Sequence, residues 1–149
     1  MSKTTVPITA DHRGFKLKAQ LIDWLKGHGF EPKDLGTYSE ERCDSIDYAT
    51  KMAAEIAAHP GEVGVILCGS GNGIAIAANR FKALRAAIAF TPEMARLARE
   101  HNDANVLALG ADYMDAEKSV ACLEAFLNGK FLGGRYAERR DKLDKLGGV

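Results

Sequence analysis

Residues 63–80 read VGVILCGSGNGIAIAANR and carry the strongest local signal in the chain. The apolar run Val63 to Leu67 is rich in β-branched residues, which predicts a buried strand. Cys68 follows it, and three glycines then fall within residues 69–73. Alanine and isoleucine dominate Ile74 to Asn79, which predicts the start of a helix. The order is therefore strand, glycine-rich turn, helix.

A turn of this kind can bind an anion. Glycine tolerates positive φ, so several backbone N–H groups can point to one place, and the following helix adds its own unpaired N–H groups. The segment predicts a cradle for a phosphate or a developing oxyanion, with the thiol of Cys68 at its rim. The same field favours a thiolate there. The alternative is that Cys68 is a small buried hydrophobic residue and that the turn only packs.

The cradle matches none of three well-known phosphate motifs. It lacks the lysine of a Walker A loop, and its third glycine comes one residue early for a dinucleotide fingerprint. A cysteine-based phosphatase loop would need arginine where Ile74 stands. The motif alone therefore does not identify the anion.

The composition narrows the class of protein. The chain has 149 residues, which suits one domain over residues 1–149, and its 20 basic residues equal its 20 acidic ones. Zero net charge argues against a general nucleic-acid binder or a binder of anionic membranes. The apolar runs are short for a membrane span, and the N-terminus lacks the apolar segment of a signal peptide. The three cysteines lack metal-like spacing, so we expect a reduced, cytoplasmic protein.

Strand and helix signals alternate along the whole chain. The other predicted strands are Thr5–Thr9 (weakened by its proline), Phe30–Asp34, Leu84–Phe90 and Asn105–Leu109. The other predicted helices are Phe15–Lys26, Tyr48–Ala58, Pro92–His101, Asp115–Leu127 and Tyr136–Leu146. This alternation predicts an α/β protein, a three-layer Rossmann-like fold with a parallel sheet of about five strands.

Ligands of such folds bind beyond the carboxyl ends of the strands. Four segments follow strands and are expected there: Asp11–His12, Cys68–Gly73, Phe90–Thr91 and Gly110–Asp112. His101 and its neighbours instead precede a strand, which places them at the opposite edge. If they are catalytic, we expect them to serve a neighbouring subunit.

Four motifs in register resemble ribose-5-phosphate isomerase type B. They are ADHRGF at 10–15, CGSGNGI at 68–74, HNDAN at 101–105 and GGR-x-x-x-R at 133–139, and together they span almost the whole chain. The same family holds allose-6-phosphate and galactose-6-phosphate isomerases.

The resemblance implies an aldose–ketose isomerase that works through a cis-enediolate without a metal or cofactor. Ribose 5-phosphate and ribulose 5-phosphate would be its substrates. It implies four catalytic residues. Cys68 would be the base that moves the proton between C2 and C1, and Ser70 would assist it through its hydroxyl. His101 would open the furanose ring, and Asp11 would transfer hydroxyl protons. One base able to take and return a proton, with a stabilised oxyanion, also suits this chemistry independently.

The resemblance also implies the binding residues. The backbone N–H groups of Gly69, Gly71, Asn72 and Gly73 would bind the oxyanion. Asn102 would bind sugar hydroxyls, and the phosphate would be bound by His12, Arg135 and Arg139. The site would lie between the subunits of a homodimer or homotetramer.

Several of these residues have simpler interpretations. His12 can be an exposed loop residue, Asp11 only a helix cap and His101 a cation at a helix C-terminus. Arg135 and Arg139 can belong to a solvated helix face. His28 and His59 receive no role, and no His/Asp/Glu cluster with metal spacing is visible in the sequence.

Two segments depart from the family pattern. Residues 44–47 read Asp-Ser-Ile-Asp where the family commonly has Asp-Tyr-Pro-Asp, so Ser45 and Ile46 differ, and Asp112 stands where an arginine often binds the phosphate. We expect Asp112 to point away from the phosphate, or to contact a hydroxyl of another sugar. The alternatives are thus an isomerase of a six-carbon sugar phosphate and a non-catalytic sugar-phosphate sensor. The presence of Cys68, Asp11 and His101 together favours an enzyme.

Overall fold

The computed structural model describes residues 2–147 and contains one parallel sheet. Its five strands lie in the order β2-β1-β3-β5-β4. They are β1 Thr4–Ala10, β2 Phe30–Asp34, β3 Gly64–Cys68, β4 Ala86–Ile88 and β5 Val106–Gly110. The predicted Rossmann-like α/β fold is confirmed.

Six helices connect and cover the strands: α1 Phe15–Gly27, α2 Ser45–Ala58, α3 Asn72–Ala78, α4 Pro92–Asn102, α5 Ala116–Asn128 and α6 Arg135–Asp144. Helices α1, α4 and α5 pack on one face of the sheet, and α2 and α3 pack on the other. Strand β3 serves both faces because its side chains alternate: Val65 and Leu67 join the first core, Ile66 and Cys68 the second. None of the helices in residues 2–147 is long and apolar enough to cross a membrane.

Several element boundaries differ from the sequence expectation, among them those of α2, β4 and α6. Helix α2 begins at Ser45 rather than Tyr48, because Asp44 caps it by accepting a hydrogen bond from the Ile46 N–H at 2.9 Å. Strand β4 has only three residues, Ala86–Ile88; it lies at the sheet edge and pairs with β5 alone. Helix α6 ends at Asp144, before Leu146.

Strand β1 runs from Thr4 to Ala10 although Pro7 lacks an N–H donor. Its pairing with β3 starts only at Ile8, directly after the proline. Pairing with β2, in contrast, covers Thr4 to Ile8. The central order β1-β3-β5 then brings the three strand ends at Ala10, Cys68 and Gly110 to one edge of the sheet.

Candidate active site

The cradle curls around the sulphur of Cys68. Cys68 is the last residue of β3 and is buried, and the Gly71 N–H donates to its Sγ at 3.2 Å. Gly71 has φ of 81°, a left-handed conformation that favours glycine. The Asn72 N–H donates to Ser70 Oγ at 3.1 Å. The turn therefore aims an N–H donor at the sulphur, where thiolate charge would develop.

Asp11 lies beside this turn. Its own N–H donates to the carbonyl oxygen of Leu67 at 3.1 Å, which ties the end of β1 to the end of β3. The side chain is buried, and Oδ1 accepts hydrogen bonds from the Arg13 N–H at 3.0 Å and the Gly14 N–H at 3.2 Å. Asp11 thus shapes the turn before α1, but the N-cap position belongs to Gly14. Within residues 2–147, its second carboxylate oxygen has no hydrogen-bond partner.

His12 is half-buried and held by the loop before α2. Its Nδ1 accepts a hydrogen bond from the Cys43 N–H at 3.2 Å. A backbone N–H can only donate, so Nδ1 is the acceptor nitrogen and the proton of the neutral ring lies on Nε2. The ring can therefore donate through Nε2 to a ligand.

Arg13 and Asp112 form an ion pair across the same edge. The Asp112 N–H also donates to the carbonyl oxygen of Gly69 at 2.9 Å, which fixes the loop after β5 against the cradle. An added Cβ at Gly69 would lie 2.5 Å from Arg13 Cζ, so the guanidinium rests directly on Gly69. The motifs predict no role for Arg13. Its position is the sequence signal that could have revealed a role, because Arg13 is a cation directly after Asp11 and His12. We refer to residues 11–13, 68–73 and 112 as the carboxyl-edge cluster.

A second group of predicted site residues lies on α4 and α6. The His101 ring stacks on Tyr136 with centroids 4.4 Å apart and planes inclined by 4°. The guanidinium carbons of Arg135 and Arg139 lie 5.2 and 6.0 Å from the Tyr136 ring centroid. Asn102 is exposed and ends α4. We call His101, Asn102, Arg135, Tyr136 and Arg139 the helix cluster; Tyr136 was not predicted from the sequence.

Asp103 holds the helix cluster together. Its carboxylate binds Arg140 of α6 at 2.8 Å and also contacts Arg85 and Arg99 at 3.3 and 3.2 Å. The hydrogen bond to Asp103 raises the pKa of Arg140. Asp103 itself has a φ of 49°, which ends α4 and turns the chain toward β5. Helix α6, which has no buried residues, is therefore attached to α4 by charge pairs.

The two clusters lie at opposite edges of the sheet. Cys68 pairs with Gly110 at the carboxyl end of β5, whereas His101 and Asn102 precede the first residue of β5, Val106. The strand alone separates these ends by roughly 13 Å. One chain therefore brings Asp11 and His12 to Cys68, but does not bring His101, Arg135 or Arg139 there. A cavity of about 780 Å³ lies beside Asn102 and α6 and does not include Cys68.

Within residues 2–147, one group of side chains has the arrangement of possible metal ligands, contrary to the sequence expectation. The ligand atoms of Glu55, His59 and Glu62 lie within 4.8 Å of one another. Lys33 Nζ already binds Glu55 Oε1 at 2.7 Å, which supplies positive charge to this group. Glu55 lies near the end of α2, and His59 and Glu62 lie between α2 and β3, so the group is at the sheet edge away from Cys68.

Glu55 and Glu62 affect each other's pKa. Burial raises the pKa of Glu62, and the neighbouring Glu55 raises it further. Burial also acts to raise the pKa of Glu55, but hydrogen bonding to Lys33 and Glu62 outweighs it, so the net direction is down. One of the two carboxyls therefore tends to keep its proton.

Comparisons with known proteins identify the family. A family model described as Ribose/Galactose Isomerase matches residues 6–143. The chain is 40% identical over 136 residues to ribose-5-phosphate isomerase B of Escherichia coli K12, covering 91% of each chain. The crystal structure of a ribose 5-phosphate isomerase from Thermotoga maritima matches with a TM-score of 0.93 and 43% identity, over 96% of this chain and 99% of that one.

A structure of ribose-5-phosphate isomerase B from Mycoplasma genitalium contains bound ribulose-5-phosphate. It matches with a TM-score of 0.91 and 32% identity over 97% of both chains. These matches confirm the resemblance carried by the four motifs. The chain belongs to the ribose/galactose isomerase family.

Proposed function

We propose that this protein interconverts ribose 5-phosphate and ribulose 5-phosphate through a cis-enediolate, with Cys68 as the general base. The observation that carries the proposal is the Gly71 N–H donating to Cys68 Sγ, at an edge that also holds Asp11 and His12. The choice of substrate is supported by the names of the relatives and by the ribulose-5-phosphate in the Mycoplasma genitalium structure.

The reaction needs one base and no external oxidant. The Cys68 thiolate takes the proton from C2 of the open-chain aldose, and the thiol then returns it to C1. The electron pair released at C2 forms the C1–C2 double bond, and the aldehyde oxygen becomes the enediolate oxygen. Backbone N–H groups of residues 69–73 stabilise that charge, as in other oxyanion sites, apart from those of Gly71 and Asn72, which already donate to Cys68 Sγ and Ser70 Oγ.

Two polar side chains serve the hydroxyl protons. Ser70 Oγ accepts the Asn72 N–H, which leaves its own O–H free to donate to the enediolate. The unpartnered oxygen of Asp11 is available to move a proton between the C1 and C2 oxygens. Both lie on turns fixed by backbone hydrogen bonds, so little reorganisation is required.

The helix cluster acts in the site of a second copy in this proposal. His101 would open the furanose ring, Asn102 would bind hydroxyls, and Arg135 and Arg139 would join His12 in binding the phosphate. Support comes from their position at the opposite edge within one chain.

A coupled isomerase assay on ribose 5-phosphate, allose 6-phosphate and galactose 6-phosphate tests the function. The wild type should favour ribose 5-phosphate, and Cys68→Ala should lose about 10³-fold or more in kcat. Cys122→Ala is the matched control, because Cys122 is also a free, buried thiol but lies on α5. Preference for a six-carbon substrate would identify the alternative isomerase. Phosphate binding without turnover would identify a sensor.

Metal removal provides a second check. Turnover should be unchanged by EDTA, because the chemistry above uses only side chains and amides of the carboxyl-edge cluster. The Glu55, His59 and Glu62 group lies at the other edge. Loss of turnover on chelation, restored by a divalent cation, would contradict this mechanism.

A further inference from the structure

The ion pair between Arg13 and Asp112 spans the mouth of the cradle. Arg13 follows β1, Asp112 follows β5, and β3 with its cradle lies between these strands. An added Cβ at Gly69 would meet Arg13 Cζ, Nε and Nη1 at 2.5 to 2.7 Å. A side chain at position 69 would displace the guanidinium from this position. The cradle and the arginine therefore fit each other.

The guanidinium keeps most of its donors free. Arginine has five N–H donors, and Asp112 engages only Nη2. Nε and Nη1, the atoms nearest Gly69, bond to no group within residues 2–147. The side chain is 58% exposed. Asp112 binds the Nη2 side of the guanidinium, and the side that carries Nε and Nη1 is free to bind a ligand.

We propose that Arg13 binds the phosphate of the substrate and that Asp112 positions it for this role. The inference rests on the proposed function. A planar guanidinium with two adjacent donors matches two phosphate oxygens, and the phosphate is the only full negative charge on the sugar phosphate before reaction. Arg13 directly follows His12, whose Nε2–H is also free to donate.

The ion pair with Arg13 also explains why the carboxylate of Asp112 can lie beside a site that is proposed to bind an anion. Alone, Asp112 would repel a phosphate dianion. Bound to Arg13 it is neutralised, and the restrained guanidinium presents its free edge with less loss of side-chain entropy. Asp112 then assists phosphate binding through Arg13, although it carries the wrong sign for direct contact.

Replacement of Arg13 is the first test. Arg13→Ala should raise KM for ribose 5-phosphate by about 10- to 100-fold, the value of a charge-assisted hydrogen bond, and change kcat much less. The inhibition constant of inorganic phosphate, as a competitive inhibitor, should rise by a similar factor. Arg13→Lys should recover part of the loss, because it keeps the charge without the fork. Lys16→Ala is the matched control, since Lys16 is 79% exposed and also pairs with a carboxylate, that of Glu40.

The direction in which Asp112→Asn changes KM tests whether Asp112 positions Arg13. Removing a negative charge near a phosphate should lower KM if only electrostatics matters. We expect KM to rise instead, because Arg13 loses its partner. In the Arg13→Ala background the same change should not raise KM further, since there is no guanidinium left to position. A lower or unchanged KM for Asp112→Asn overturns the positioning role.

Calorimetric titration with inorganic phosphate separates this inference from the proposed function. If the wild type turns over ribose 5-phosphate but Arg13→Ala keeps wild-type KM and phosphate affinity, the inference is wrong and the function stands. If the wild type shows no turnover while phosphate affinity depends on Arg13, the function is wrong and the phosphate site stands. Circular dichroism of each variant confirms that it is folded.

Discussion

The carboxyl-edge cluster and the helix cluster are attached to the same fold in different ways. The first is held by backbone hydrogen bonds between strand ends, such as Asp11 N–H to Leu67 and Asp112 N–H to Gly69. The second depends on side chains of α6, a helix without buried residues that Asp103 ties to α4 through Arg140. Cys68, the proposed base, and its cradle are therefore fixed to the sheet by backbone hydrogen bonds, whereas the proposed phosphate arginines lie on a helix that has no buried residues.

The largest expected effect comes from separating the two clusters on different chains. Cys68→Ala and His101→Ala should each abolish turnover, because each removes one half of every shared site. Mixed and refolded together, they should regain about a quarter of wild-type activity, since half of randomly formed dimers are hybrids with one intact site. Mass measurement of the mixture shows whether hybrids form. Hybrids without activity would place the whole site within one chain and end the distinction between the clusters.

A smaller effect is expected from loosening α6. Asp103→Asn keeps a residue that tolerates the positive φ of 49° but leaves Arg85, Arg99 and Arg140 without their carboxylate. We expect a loss of roughly 1–3 kcal/mol in unfolding free energy and a severalfold rise in KM, with kcat less affected. Denaturant titration and steady-state kinetics measure both.

Asp141→Asn is the control for this change, because Asp141 also pairs with Arg140 but is largely exposed. Asp141→Asn should change the unfolding free energy and KM very little. Equal effects of the two variants on KM would show that the charge of this region, and not the anchoring of α6, determines phosphate binding.

The cradle, its strand and the order of elements are local features, so hydrophobic periodicity and glycine spacing predict them, and the position of His101 before a strand follows from that order. The Arg13–Asp112 pair joins residues 99 positions apart. It depends on β1 and β5 lying on either side of β3, which no local pattern records.

Other differences have equally specific causes. Tyr136 was missed because an aromatic residue on a charged helix gives no sign that it will stack on His101. The Glu55–His59–Glu62 group was missed because Glu62 lies in the loop before β3 and meets α2 only in the folded chain. The start of α2 was misplaced because the capping role of Asp44 was not recognised.

The smallest effect is expected at Glu62, which shares the amino edge of the sheet with Asp103 but does not belong to the helix cluster. Burial and the adjacent Glu55 raise the pKa of Glu62. A raised pKa in the folded state means that protonated Glu62 contributes stability at low pH, and that this contribution is lost as pH rises through the folded value. Glu55 has the opposite sign, because its pKa is lowered in the folded protein and its contribution to stability is lost as pH falls.

Glu62→Gln imitates the protonated form of Glu62 at every pH. The variant should therefore melt a few degrees higher than the wild type at pH 8, and the difference should vanish near pH 4, where wild-type Glu62 is itself protonated. Glu124→Gln, at an exposed position on α5, should show no such pH dependence. KM and kcat of Glu62→Gln should match the wild type, because neither cluster contacts it. A changed KM would mean that the amino edge as a whole influences the site, and that the effect of Asp103→Asn does not arise from α6.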